Sequence, residues 1–418
     1  MRIALLSTRN PFDVPSADEN ALAPMQLAKA LADRGEEVHL FAAGAWRRSG
    51  YRPHQGYHYH AVRGDVSNGS EFWVSQWPAM LYYMRATESV SGPFDVVHCL
   101  STKLLPVLAK FKSGGRVSAW LSLSPDEANS KIITEQSLGV VPLPSNNGAG
   151  HGLHEASSNG QEAELSIGGW HASEFLDGVL VPMDSAREKI ARQIGVPEQK
   201  VFVCPLGVNH GRFSRWVDQG KVKIRYGLDP LGPVILFSGE LTRGQGPDLL
   251  VEAMFGVLPS HPRLTAVFAG DGPLLPYLQG RSRVLGLERA TRFLGFVEDD
   301  ELVDLLNASD IVCFPSRGEL VSHAVLEAWS AGKPTIIARP AAPVFAQPGE
   351  NSLVVEPSAS GLAKAIGELL ADREGALRMG QRAWQRASNE FAWEAIAERI
   401  LQLYQITSHE PRLSVSWL

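Results

Sequence analysis

Apolar and polar residues alternate along this chain at two periods. Short runs rich in β-branched and aromatic residues recur from end to end: RIALLS, EVHLFAAG, DVVHCL, VSAWLSL, GVLVP and VFVCPLGV, then VILFSGEL, LTAVFAGDG, ATRFLGFV, DIVCFPS, PTIIARP and SLVVEP. Most are nearly continuous apolar stretches of about 4–8 residues, the pattern of parallel strands covered on both faces. Between many of them apolar residues return at helical spacing, as in ENALAPMQLAKALADRG, which Gly35 ends. This alternation predicts an α/β chain of doubly wound parallel sheets. It pauses at NHGRFSRWVDQGKVKIRYGLDPLGP, a polar stretch with no clear buried strand that closes on Gly and Pro. The expected organisation is a Rossmann-like domain over 1–210, a linker over 211–231 and a second Rossmann-like domain over 232–392 facing the first. A final helix and tail, 393–418, are expected to return across the junction. The Gly-, Ser- and Asn-rich stretch 141–169 reads as a flexible insertion.

Composition refines this picture. Hydrophobic residues make up 44% and charged residues 20% of 418, an ordinary globular balance. The formal charge of −6 argues against a nucleic-acid partner. The opening MRIALLSTRNPF holds an apolar run too short for a signal-peptide core, and no stretch approaches the ~20 apolar residues of a membrane span. A cytoplasmic protein is expected. Cys99, Cys204 and Cys313 each lie in an apolar run and read as core thiols, not as a disulfide framework or metal ligands. His151 and His154 lack neighbouring ligands, so no metal site is expected. The aromatic stretches AWRRSGYRPHQGYHYH and EFWVSQWPAMLYYM are expected to form a cleft wall or loop packing. Peripheral contact with a membrane near a lipid acceptor is the alternative.

Ligands of open α/β sheets bind beyond the carboxyl ends of the strands. Three such loops stand out: FSGELTRGQGPDLL, AGDGPLLPYL and FPSRGELVSHAVLEAW. In the third, Ser322 as N-cap leaves the N–H groups of His323, Ala324 and Val325 as an anion site. Glu327 follows about one turn later, where its carboxylate can accept hydrogen bonds from a pair of neighbouring hydroxyls such as a ribose diol. A solvated helical glutamate is the plain alternative.

The sequence PS, Glu319, seven residues, EAWSAGKPTIIA and later GENSLVVEP resembles the retaining glycosyltransferases of family 4. The resemblance runs through most of the second half and more thinly through the first. It implies the GT-B fold and a nucleotide-sugar co-substrate, a UDP-sugar first, with no further cofactor. It also implies that Glu327 holds the ribose and that Glu319 contacts the donor sugar as the catalytic carboxylate. The backbone of Ser322 to Ala324 would meet the diphosphate, and Gly295, Phe296 and Val297 would border the base. In such enzymes the departing phosphate helps to deprotonate the acceptor, so no protein nucleophile is required. The family frame Gly-Arg-Leu, three residues, Lys-Gly reads here Gly239-Glu240-Leu241 and Gln245-Gly246, without either cation. Arg243, Arg317 and His323 are the candidates to replace the lost charge. Acceptor contacts are expected from Ser16, Asp18 and Asn20 in VPSADENALAP, His98 in DVVHCLS, and Ser122 and Asp126 in AWLSLSPDEAN. The acceptor would be a carbohydrate, a cyclitol or a lipid-linked molecule; acidic loops at Asp18–Glu19 and Asp126–Glu127 would favour a cationic one. The alternatives are a non-catalytic member that supports a partner enzyme and a transferase with an unusual donor.

Overall fold

The computed structural model describes residues 1–8, 19–44, 50–54, 56–63, 72–101, 104–112, 117–123, 166–167, 170–318 and 322–408. The chain divides into two compact units, Met1–Pro205 with Ile396–Leu418, and Leu206–Ala395. The helix Trp393–Ser408 begins in the second unit and continues in the first. Among the described residues no helix is long and apolar enough to cross a membrane.

The first unit is built on an eight-stranded sheet in the order β10-β9-β6-β5-β1-β2-β4-β3. Its strands are β1 (Arg2–Ser7), β2 (Glu37–Gly44), β3 (Gly50–His54), β4 (Tyr57–Arg63), β5 (Val96–Cys99), β6 (Ser118–Ser122), β9 (Gly178–Val181) and β10 (Val201–Val203). All neighbours run parallel except β3, which pairs antiparallel at the edge. Pro53 sits in that edge strand, where a missing N–H is tolerated. Two short strands, β7 (Ser166–Ile167) and β8 (Trp170–His171), form a separate hairpin. Apart from Ser166 and Ile167, the insertion expected over 141–169 lies outside the described residues.

Both aromatic stretches fold into regular elements. The aromatic-basic stretch forms β3 and β4, and Tyr57, Tyr59 and His60 are buried, so those side chains face neither a cleft nor a membrane. The second stretch lies in the helix Phe72–Ser91, whose Met80 and Met84 enter the core.

The second unit holds a six-stranded, all-parallel sheet in the order β13-β12-β11-β14-β15-β16. These are β11 (Val234–Ser238), β12 (Thr265–Ala269), β13 (Thr291–Gly295), β14 (Ile311–Phe314), β15 (Thr335–Ala338) and β16 (Leu353–Val355). Alternate residues bury on opposite faces. Leu236, Val267, Val312 and Ile337 pack on one side, and Ile235, Ala266, Cys313 and Ile336 on the other. Both faces are covered, which is why these strands read as continuous apolar runs. Cys99, Cys204 and Cys313 are free and buried, and burial pushes each thiol up.

The stretch 211–231, expected as a linker, is folded into the second unit. It carries the helices His210–Phe213 and Gln219–Arg225. Arg212 pairs with Asp299, Arg215 with Asp304, and the buried Lys223 with Asp310 and the Gly232 carbonyl. The polar residues that suggested a linker are the partners of these ion pairs.

Candidate active site

Strand order places the site before any side chain is considered. In the second unit the chain moves outward from β11 in one direction to β12 and β13, then returns to β14, β15 and β16 on the other side. The loops after β11 and β14 therefore diverge at the topological switch point, where a crevice opens.

The loop after β11 braces itself. Thr242 N–H donates to the Glu240 carbonyl, and Gly246 N–H to the Thr242 carbonyl. Gln245 N–H donates to Thr242 Oγ1 at 3.3 Å. Gly246, at φ 72°, then opens the helix Pro247–Val257. A Cβ at Gly246 would meet the Pro315 carbonyl oxygen at 2.2 Å, and one at Gly270 would meet that of Gly239 at 2.0 Å. Only glycine permits these approaches, which draw together the loops after β11, β12 and β14. Gly270 N–H also donates to the Gly295 carbonyl, so the end of β13 joins the cluster. Beyond Gly295, Phe296 is largely exposed and Val297 packs against the core.

Arg317 ties the two diverging loops. Its guanidinium makes a bidentate pair with Asp248, at 2.8 and 2.7 Å, and donates to the Arg243 carbonyl at 2.8 Å. Arg317 N–H and the buried Ser316 hydroxyl both reach the Gly244 carbonyl. Asp248 holds the already high Arg317 pKa higher still. The charge of Arg317, a candidate to replace the lost phosphate-binding cations, is matched in this fold by a carboxylate. Asp248 was not singled out from sequence; its only local signal is an acidic residue in the first turn of a helix.

The helix Ser322–Ser330 follows the second loop. Glu327 is 9% exposed, and its Oε1 lies 3.1 Å from His323 Nδ1, one turn earlier. The apolar neighbours Val325, Leu326, Ala328 and Trp329 are all buried, so the helix packs tightly around that carboxylate. His323 is thus turned toward Glu327, not standing alone as a phosphate cation. Glu240 and Arg243 are exposed, and Gln245 is half-buried. Glu319 lies outside the described residues.

In the first unit His98 is fully buried in β5. Its Nε2 lies 2.7 Å from Ser122 Oγ, and its Nδ1 hydrogen-bonds the Tyr404 hydroxyl. Burial lowers its pKa to about 3, so the ring is neutral. The fold thus joins His98 and Ser122, though both ring nitrogens face protein groups. Tyr404, the third member, lies 306 residues away and left no mark in the sequence. Asn20 is the second residue of the helix Glu19–Ala32, and its side chain lies outside the described residues, as do Ser16, Asp18 and Asp126.

Residues 22–207 match the family model of the glycosyl transferase 4-like domain, and residues 219–386 that of glycosyl transferases group 1. The D-inositol 3-phosphate glycosyltransferase of Corynebacterium jeikeium is 33% identical over 240 residues, which are 55% of this chain and 57% of that protein. The spore coat protein SA of Bacillus subtilis is 26% identical over 46% of this chain and 54% of its own. The chain thus spans little more than half the length of these curated relatives. Among solved structures, Anabaena HepE in complex with UDP superposes with a TM-score of 0.66 at 20% identity, over 98% of this chain and 100% of that one. Sucrose-phosphate synthase from Thermosynechococcus elongatus gives 0.66 at 19% identity over the same shares. Two glycosyl transferase family models thus match successive parts of the chain, each on its own doubly wound sheet, and the fold is that of the GT-B glycosyltransferases it superposes on.

Proposed function

We propose that the chain is a retaining glycosyltransferase of family 4 type, moving a sugar from a nucleotide-diphosphate donor to a carbohydrate, cyclitol or lipid-linked acceptor. The observation that carries this reading is Glu327, a nearly buried carboxylate beside the switch point with His323 against it. A ribose diol supplies two donors to such a group. Glu319, eight positions upstream of Glu327, would contact the donor sugar. The first N–H groups of the helix Ser322–Ser330 would stabilise the leaving diphosphate, which is the main electrostatic demand of the reaction. UDP-sugars are the first donors to test, since HepE is known in complex with UDP and UDP-glucose. The inositol-phosphate relatives favour a polyhydroxylated ring as acceptor.

A second reading rests on the loop after β11. With Glu240 and Gln245 where the family carries Arg and Lys, and Arg317 matched by Asp248, the loops supply little net positive charge. A non-catalytic member or a donor lacking the usual diphosphate follows from that. Thermal stabilisation by UDP, GDP, ADP, dTDP and their sugar conjugates separates the two. A shift with one nucleotide that Glu327→Gln removes supports the transferase. Absence of any shift moves the assignment to the second reading.

A further inference from the structure

A different group of titratable side chains lies in the first unit, near the N-terminal ends of β2 and β4 and away from the strand ends that carry the candidate site. Register sets His39 of β2 beside His58 of β4, and Glu37 of β2 beside Arg2 of β1. Because strand side chains repeat every second residue, Glu37 and His39 share one face of the sheet. His39 Nε2 lies 3.1 Å from Glu37 Oε1, and the His39 and His58 rings stack with centroids 4.5 Å apart. One ligand atom from each of Glu37, His39 and His58 falls within a 4.8 Å cluster.

We infer that Glu37, His39 and His58 form a binding site for a divalent transition-metal ion of the zinc class. Two donors on one zinc at ~2.0–2.2 Å stand about 3.3 Å apart at the tetrahedral angle. The Glu37–His39 separation, 3.1 Å, is close to that value. His39 is 3% exposed and fixed in the core, and His58 is half-buried. The partly exposed Glu37 leaves the fourth position open to water.

The surroundings are those of ligands held by outer partners. His39 Nδ1 lies 2.9 Å from His60 Nε2, so ligation through Nε2 sets the tautomer in which Nδ1–H donates to His60. Arg2 contacts both carboxylate oxygens of Glu37, Oε1 at 2.8 Å and Oε2 at 2.9 Å, which orients the carboxylate, and an ion at Oε1 takes the place of the first of these contacts. Phe41 and Phe94 flank His39 on the apolar side. An ion here would cross-link β2 and β4 and stabilise the unit, with no part in sugar transfer. Its ligands fall in two segments some twenty residues apart with no compact motif, so the sequence did not announce them.

The test uses the full chain, stripped with chelator, titrated with Zn²⁺ by calorimetry and with Co²⁺ by visible absorption. One equivalent of Zn²⁺, Co²⁺ d–d bands of low coordination number, and a higher unfolding midpoint with Zn²⁺ are expected. His58→Ala, at a half-buried position that tolerates truncation, and His39→Gln should each weaken binding at least tenfold. The double variant His151→Ala with His154→Ala should bind as wild type. Absence of stoichiometric binding overturns the site, as does binding that survives His58→Ala and is lost in the double variant. UDP-induced stabilisation is read separately, so neither result depends on the transferase assignment.

Discussion

Breaking the Arg317–Asp248 pair from either side should change stability in one direction and diphosphate binding in two. The guanidinium is 32% exposed and the carboxylate 14%, so the pair lies between a surface bridge and a buried one. A bidentate charged pair of this kind contributes about 1–2 kcal/mol after discounting for solvent. Asp248→Asn and Arg317→Ala should each remove roughly that amount, and each 1 kcal/mol lowers Tm by about 2–4 °C in a unit of this size. Binding should split by sign. Asp248→Asn releases a cation that lies 3.5 Å from where a Gly246 Cβ would stand, beside the Gln245 position. A unit charge about 6 Å from a phosphate, at an effective dielectric between 20 and 80, is worth about 0.7–2.8 kcal/mol. UDP should therefore bind about 3- to 100-fold more tightly to Asp248→Asn and more weakly, by a similar factor, to Arg317→Ala, where Asp248 stands unmatched. Calorimetric titration at low salt measures both. If the variants lose stability alike yet bind UDP like wild type, the diphosphate does not lie at these loops. Shifts of the same sign in both would show that loop order, not charge, governs binding.

Restoring the missing cations with Glu240→Arg and Gln245→Lys should tighten UDP binding by at least tenfold, and an unchanged Kd would place the phosphates elsewhere. Tyr404→Phe removes a buried hydrogen-bond partner of His98 and should cost about 1–3 kcal/mol, visible as an earlier urea transition of the first unit. The His98 pKa of about 3 also makes that unit acid-sensitive. Between pH 6.5 and 3 the unfolded chain binds a proton that the folded one refuses. Stability is therefore complete above pH 6.5 and falls by about 1.4 kcal/mol per pH unit below it. His98→Gln should flatten that slope; an equal slope in the variant removes His98 as its source.

What could be read from the sequence was whatever local periodicity encodes. The six strands of the second unit were legible because each is covered on both faces, and an apolar run then signals its own burial. The strand β4 escaped because its alternation of Tyr and His buries by ring area and hydrogen bonds, which reads as surface chemistry in a one-dimensional pattern. The 211–231 stretch misled for the converse reason: its charges are matched by Asp299, Asp304 and Asp310, all more than 70 residues away. The candidate site divides in the same way. Glu327 stood out as a carboxylate inside an apolar helix, a contradiction visible in nine consecutive residues. Sequence offered Arg317 as a free cation, and only the fold matched it with Asp248, 69 positions earlier, by bringing the loops after β11 and β14 together. The burial of His98 against Tyr404 and the meeting of His39 with His58 have the same origin. Periodicity is a property of neighbours along the chain, whereas charge compensation and ligand geometry depend on register and topology, which tertiary packing alone sets.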